Sequence, residues 1–173
     1  MIRAFAVWGM LMAALFVMAE RNAAPVGKAV EGMIQVSGPA ASAYGAQELH
    51  SVRITLLQVL RGSSAWERIM EADESAPPPE SGFEYLIARI RLEYDPDGAG
   101  GTLTYLVKPD DFRIYSENDR EYDLPSVKPP KPALMGRTLY PGDFHEGWLC
   151  FKVEETDRKP LLFFYGGMWF QLC

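Results

Sequence analysis

The alternation of apolar and charged side chains from Phe83 to Tyr94 leaves this stretch one economical conformation, a β-strand with a single buried face. Leu86, Ala88, Ile90, Leu92 and Tyr94 fall on one side, and Arg89, Arg91 and Glu93 on the other. The same period of two runs through Val52, Ile54 and Leu56, after which Leu57 and Val59 take over the apolar positions. A one-residue phase change of this kind predicts a β-bulge. A weaker alternation at Ile34 and Val36 precedes it, and short strands are expected over residues 103–107, 111–115, 147–153, 161–165 and 168–172, each bounded by Gly, Pro, Asp or Asn. Residues 95–101 and 119–131 read as loops from their Pro, Gly and Asp content.

One segment departs from this pattern. Trp66, Ile69 and Met70 recur at helical spacing and predict a short helix near residues 64–73, with Ser64 and Glu67 placed as a capping box. The triple proline at 77–79 ends it. A helix of this length suits the open end of a sandwich, and no βαβ alternation accompanies it. The expected fold is therefore all-β, an antiparallel β-sandwich with one inserted helix.

Residues 4–19 carry no charge, come after Arg3 and precede Glu20-Arg21. A short positive leader, an apolar core and small residues at the exit match an export segment, with Val17-Met18-Ala19 or Asn22-Ala23-Ala24 as the place of cleavage. An uncleaved N-terminal membrane anchor is the alternative, and both fates export the remainder of the chain. The expected organisation is a signal peptide or anchor over residues 1–24, a linker and first strand over 25–49, and the sandwich over 50–173. A formal net charge of −6 argues against nucleic acid as partner, because phosphate backbones are bound through clustered Lys and Arg. The one basic cluster, Lys128 and Lys131, is embedded in prolines and reads as a solvated loop.

Familiar catalytic and metal-binding patterns do not assemble. His50 and His145 have no His, Cys or carboxylate at helical ligand spacing, and Gly98 to Gly101 lacks the Lys-Ser/Thr of a phosphate loop. The acidic stretch 116–123 lacks the ligand pattern of a calcium loop and reads as a hairpin turn. No cofactor or metal is expected. An enzyme built on Asp110, Asp111 or Glu146 with His145 is the less favoured alternative. Tyr140-Pro141-Gly142-Asp143 predicts a type II turn, and Trp148 an aromatic lid on the sandwich. An exported chain permits a disulfide, and strand alternation puts Cys150 and Cys173 on outward faces, so they form a candidate pair.

The chain also resembles a known family. Trp66-Glu67-Arg68-Ile69, the run from Pro77 to Ala88, Tyr115-Ser116 with residues 121–127, Leu139-Tyr140-Pro141-Gly142-Asp143 with Glu146-Gly147-Trp148, and residues 159–164 through Trp169-Phe170 are similar to the telokin-like, immunoglobulin-like domains exported by Gram-positive bacteria. The resemblance covers residues 50–172 and implies an immunoglobulin-like fold of unknown function; the export segment and the missing catalytic constellation make a non-enzymatic, exported domain that acts by surface contact the expected role. Many members are lipoproteins with a Cys after the signal core; the first Cys here is Cys150, so a lipid anchor is not expected. The expected partner is a protein, cell-wall material or another extracellular ligand; the alternative is a structural spacer anchored at the outer face of the membrane. Membrane contact is expected only through residues 4–19, if that segment stays uncleaved. Tyr85, Tyr115 and Trp169 are the candidate contact residues.

Overall fold

The computed structural model describes residues 22–38, 47–98 and 101–173, so the expected export segment at residues 4–19 lies outside the described residues. In chain order the strands are β1 (Ala29–Ser37), β2 (Gln47–Arg61), β3 (Phe83–Tyr94), β4 (Tyr105–Leu106), β5 (Phe112–Tyr115), β6 (Glu121–Tyr122), β7 (Thr138–Leu139), β8 (Phe144–Glu154), β9 (Leu161–Phe164) and β10 (Met168–Gln171). One helix, α1 (Ser63–Ala72), joins β2 to β3. The protein is an all-β sandwich with this short helix. One antiparallel sheet has the order β1-β2-β3-β8, the other β10-β9-β5-β6, and β4 pairs with β7 in a separate small ribbon.

The alternating residues of β3 behave as their spacing demands. Leu86, Ala88, Ile90, Leu92 and Tyr94 are buried with Ile54, Leu56, Leu149, Phe151, Phe112, Phe164 and Phe170 in the main core. The phase change in β2 is a bulge: Leu56 opposes Ile90 and Gln58 opposes Arg89, so Leu57 is the surplus residue. Beyond it Val59 packs toward the main core and Leu60 toward the opposite face.

That opposite face explains α1. Ala65 and Ile69, with Trp66 and Met70 beside them, pack on Tyr85, Ile87, Trp148 and Cys150, which point outward from β3 and β8. The helix therefore covers the outside of the first sheet instead of closing an end of the sandwich, and Trp148 belongs to this layer. Tyr85 stacks on Trp66 with ring centres 5.7 Å apart and donates its hydroxyl hydrogen to Pro77 O at 3.1 Å, which ties the proline run down. The expected capping box does not form. The helix starts at Ser63, so Ser64 already sits inside the first turn, and Gly62 is the N-cap with no side-chain bond. Gly62 has φ 63°, a left-handed conformation that turns the chain directly from β2 into the helix. The expected type II turn is present, with Gly142 at φ 90° and Asp143 N donating to Tyr140 O at 2.8 Å.

Two sheet edges are covered. Residues 132–134 run beside β8, where Trp148 N donates to Pro132 O (2.8 Å) and Leu134 N to Trp148 O (3.1 Å). At the other sheet, Ala24 lies parallel to β10: Ala24 N donates to Trp169 O (2.8 Å), and Gln171 N to Ala24 O (2.9 Å). The packed body thus already includes Ala23 and Ala24, and most of the expected linker over 25–49 that is described is strand, namely β1 and the start of β2.

Candidate functional site

Side chains on β5, β9 and β10 alternate between the main core and the outer face of the second sheet. Phe112, Ile114, Leu162, Phe164, Met168 and Phe170 go inward. Polar residues are the usual occupants of the other face, yet it carries Tyr115, Phe163 and Trp169, all half-buried. Cross-strand register sets Trp169 beside Phe163 and Phe163 beside Arg113, while Tyr115 aligns with Leu161 on one side and Glu121 on the other. Ring centres of Phe163 and Trp169 are 4.7 Å apart, those of Tyr115 and Trp169 5.5 Å, and those of Tyr115 and Phe163 6.5 Å. The rings are mutually tilted rather than coplanar. Tyr115 donates its hydroxyl hydrogen to Glu121 Oε2 at 3.2 Å, and Arg113 approaches the same oxygen at 3.4 Å. Hydrogen bonding to Tyr115, then the nearby Glu121 charge, raises the Arg113 guanidinium above its ordinary value. The arrangement is an aromatic patch with a charged margin on a hydrogen-bonded sheet.

Of the three aromatics expected as contacts, Tyr115 and Trp169 meet here. Tyr85 does not, because α1 covers it and leaves it 4% exposed. Phe163 completes the group; its place in 161–165, alternating with core residues, was the available signal.

A second polar constellation lies at one end of the first sheet. His50 is fully buried, with Nε2 3.0 Å from Glu48 Oε2 and Nδ1 3.7 Å from Asp95 Oδ2, and its ring lies 4.9 Å from that of Tyr94. Glu48 Oε2 also accepts the backbone N–H groups of Thr102 and Leu103. The Leu103 bond is the largest influence on Glu48 and, with His50 and Thr102, holds its carboxyl below the usual range against partial desolvation. Ser51 donates its hydroxyl hydrogen to Asp95 Oδ1 at 3.1 Å, and Tyr94 donates to Leu103 O at 2.8 Å. Burial, then the charges of Asp95 and Glu48, pushes the Tyr94 phenol up to about 12. The cluster ties Asp95, Thr102 and Leu103 to β2. Scanning for helical spacing misses Glu48 and His50, which are two apart and share one face of a strand.

The alternative catalytic residues are not gathered. His145 and Glu146 are successive residues of β8 and face opposite ways: His145 Nε2 meets Ala133 O at 2.9 Å, whereas Glu146 pairs with Arg89 (2.9 Å) and Arg91 (3.3 Å) on the outer face. Asp111 accepts from Tyr105 Oη (2.7 Å) and Lys108 N (2.6 Å) in the turn before β5, with Asp110 beside it. Burial first, and the bond to Asp111 second, push the Tyr105 phenol strongly up. Among the described residues no group of three or more His, Cys, Asp or Glu side chains could hold a metal ion. The acidic 116–123 stretch is a β-hairpin turn, with Ser116 N donating to Arg120 O at 2.8 Å and Asp119 in the left-handed region.

The expected disulfide is not formed: Cys150 and Cys173 are both free. Cys150 is in β8 of the first sheet under α1, and Cys173 lies beyond the end of β10 of the second, so the two are not on neighbouring strands. Burial pushes the Cys150 thiol up to about 12.

No family model and no curated protein matches the sequence. Among solved structures the chain is similar to the YjhA protein of Bacillus subtilis, at 14% identity and a TM-score of 0.51, over 83% of this chain and 81% of that one. At that identity the likeness concerns the fold alone.

Proposed function

We propose that this chain is an exported, non-enzymatic binding domain of the immunoglobulin-like, telokin-like kind, which meets a protein, cell-wall or other extracellular ligand through the outer face of β5, β9 and β10. The observation that carries the reading is the Tyr115–Phe163–Trp169 group, three large rings on the side of a sheet where polar side chains are the norm. Aromatic residues dominate contact energies, and a hydrogen-bonded sheet presents them with little ordering cost. Arg113 and Glu121 supply the polar margin that such surfaces have. Export is supported by the uncharged run at residues 4–19 behind Arg3, and the resemblance to exported domains points the same way.

The test pairs location with binding. The full chain, produced in a bacterium, is sought in medium, membrane and cytosol, and the exported protein is titrated with purified cell-wall polymer and extracellular protein fractions. Saturable binding that falls at least tenfold in Phe163→Ala, with unchanged thermal stability, supports the reading. Retention in the cytosol, or binding indifferent to Phe163→Ala, overturns it.

A further inference from the structure

We infer that the Tyr115–Phe163–Trp169 face takes a single chain of uncharged sugar, a glycan of neutral β-linked hexose units, in preference to a protein, a nucleic acid or an anionic polymer. This assignment rests on the binding reading proposed for the same face and narrows it to one chemical class of ligand.

The size of the platform decides against a protein. A large aromatic side chain presents about 150–250 Å² when fully open. All three rings are half-buried, so together they leave on the order of 200–300 Å² exposed. A stable protein interface takes about 800 Å² from each partner. The three rings fall well short of that and suit a short run of sugar rings.

The surfaces also match in kind. The face of an aromatic ring is negative and its edge positive. A hexose ring with equatorial hydroxyls has the complementary form: its faces are C–H groups of slight positive charge, and its rim is hydroxyl. Stacked over Phe163 and Trp169, whose ring centres are 4.7 Å apart, such a ring covers apolar surface on both sides and turns its hydroxyls to the margin. Tyr115 continues the platform, 5.5 Å from Trp169. The ring planes differ by 48°, 50° and 77°, so the platform is stepped. Successive units of a single glycan chain rotate about their linkages and follow such steps, whereas the flat surface of a crystalline polymer does not. Strand register and partial burial hold the rings in place, so little side-chain freedom is lost on binding.

Hydrogen-bonding groups at the margin point to hydroxyls. Arg113 and Glu121 line a recess of about 240 Å³ together with Asp110 and Asp123. Ionised carboxylates only accept and a guanidinium only donates. Sugar hydroxyls do both, and they satisfy this mixture without bringing charge of their own. Charge also removes the competitors. Three carboxylates against one guanidinium, on a chain of formal net charge −6, repel an anionic wall polymer. They equally repel the phosphates of a single-stranded nucleic acid, whose bases would otherwise stack on such rings.

The test uses the chain as recovered from a bacterium that produces it in full. It is titrated with hexamers of β-linked glucose and of β-linked N-acetylglucosamine, and binding is read by calorimetry and tryptophan fluorescence. The expected result is saturable binding of at least one hexamer, millimolar or tighter, and unchanged between low and high salt because no ion pair forms with the ligand. Trp169→Ala and Phe163→Ala should each weaken it at least tenfold. Glu121→Gln, which keeps the side-chain shape and removes the charge, should weaken it severalfold at unchanged melting temperature. Binding of neither hexamer, alongside saturable binding of a protein fraction that Phe163→Ala abolishes, overturns the sugar assignment and leaves the binding reading standing. Capture of a basic peptide or an anionic polymer in place of both hexamers, fading with salt, does the same. Hexamer binding indifferent to all three variants places the sugar elsewhere and overturns the assignment too. Absence of binding by hexamers, proteins and polymers alike overturns both readings.

Discussion

Replacing Gly147 by Ala isolates a packing demand that no local rule imposes. Gly147 lies within β8, and its backbone is not in the left-handed region, so alanine suits the strand itself. A Cβ at this position would stand 2.5 Å from Leu134 N, 2.6 Å from Leu134 Cα and 2.7 Å from Ala133 C. All three atoms are backbone, with no flexible side chain to swing away. Relief requires the 132–134 strap to lift off β8. Two hydrogen bonds, Trp148 N to Pro132 O and Leu134 N to Trp148 O, then weaken at about 0.5–1.5 kcal/mol each. Leu134, fully buried, loses part of a burial worth roughly 1.5–3 kcal/mol. The expected loss is about 3 kcal/mol, a large share of the ~5–15 kcal/mol that holds a domain of this size. In melting temperature it is a fall of roughly 6–12 °C. Urea unfolding monitored by tryptophan fluorescence measures it directly, since Trp148 is the residue the strap bonds. Gly142→Ala is the control: open space surrounds its Cβ but φ is 90°, so it incurs only left-handed strain of about 1–2 kcal/mol. If Gly147→Ala stays within about 0.5 kcal/mol of the parent, the strap is not held as described and the reasoning fails.

A thiol reagent at pH 8 should label one cysteine per native chain, Cys173, and a second only on unfolding, because Cys150 is buried and its thiol is pushed up to about 12; rapid labelling of two would refute the placement of Cys150 under α1. Glu48 is held below its ordinary value of 4.5 in the folded state, so its contribution is fully present above that value and fades as pH falls through the lowered folded one. Glu48→Gln should therefore flatten the acid side of the stability profile measured between pH 2 and 6, and an unchanged slope would remove Glu48 from that role. Ile69→Ala should cost about 2–5 kcal/mol, because Ile69 is fully buried between α1 and the first sheet; a cost under ~1 kcal/mol on the same scale would mean that the helix is only loosely docked.

Strand spacing makes the inward face of β3 legible, since a period of two is a local property and the main core enforces it. The bulge at Leu57 is legible for the same reason. What spacing cannot report is whether the opposite face meets water or a second layer. Tyr85 and Ile87 on β3 are covered by α1, while Arg89 and Arg91 farther along the same face are half-buried and pair with Glu146. A sequence window treats both stretches alike, and Tyr85 passes for an exposed contact. The start of α1 is displaced because Gly62 turns the chain by its own backbone freedom, leaving Ser64 no cap to make. The buried His50 depends on Asp95, 45 positions away, and on the Thr102–Leu103 amides that Glu48 gathers. Contacts at that separation arise from sheet register and leave no trace in local pattern. The Cys150–Cys173 expectation fails similarly: alternation assigns a face to each residue but says nothing about which sheet owns it.

The bulge has one more consequence, for chain length. Leu56 opposes Ile90 and the next paired residue, Gln58, opposes Arg89, so the ladder on either side is already continuous when Leu57 is left out of account. Removing Leu57 altogether would keep Val59 against Ala88 and Leu60 against Ile87, with each side chain still on its present face. A deletion at a position such as Thr55 would instead force part of β2 to slip by one and turn its buried side chains outward. Leu57 is thus the point in β2 where a residue can be lost without scrambling either of the two apolar layers, a tolerance invisible to any comparison of side-chain chemistry.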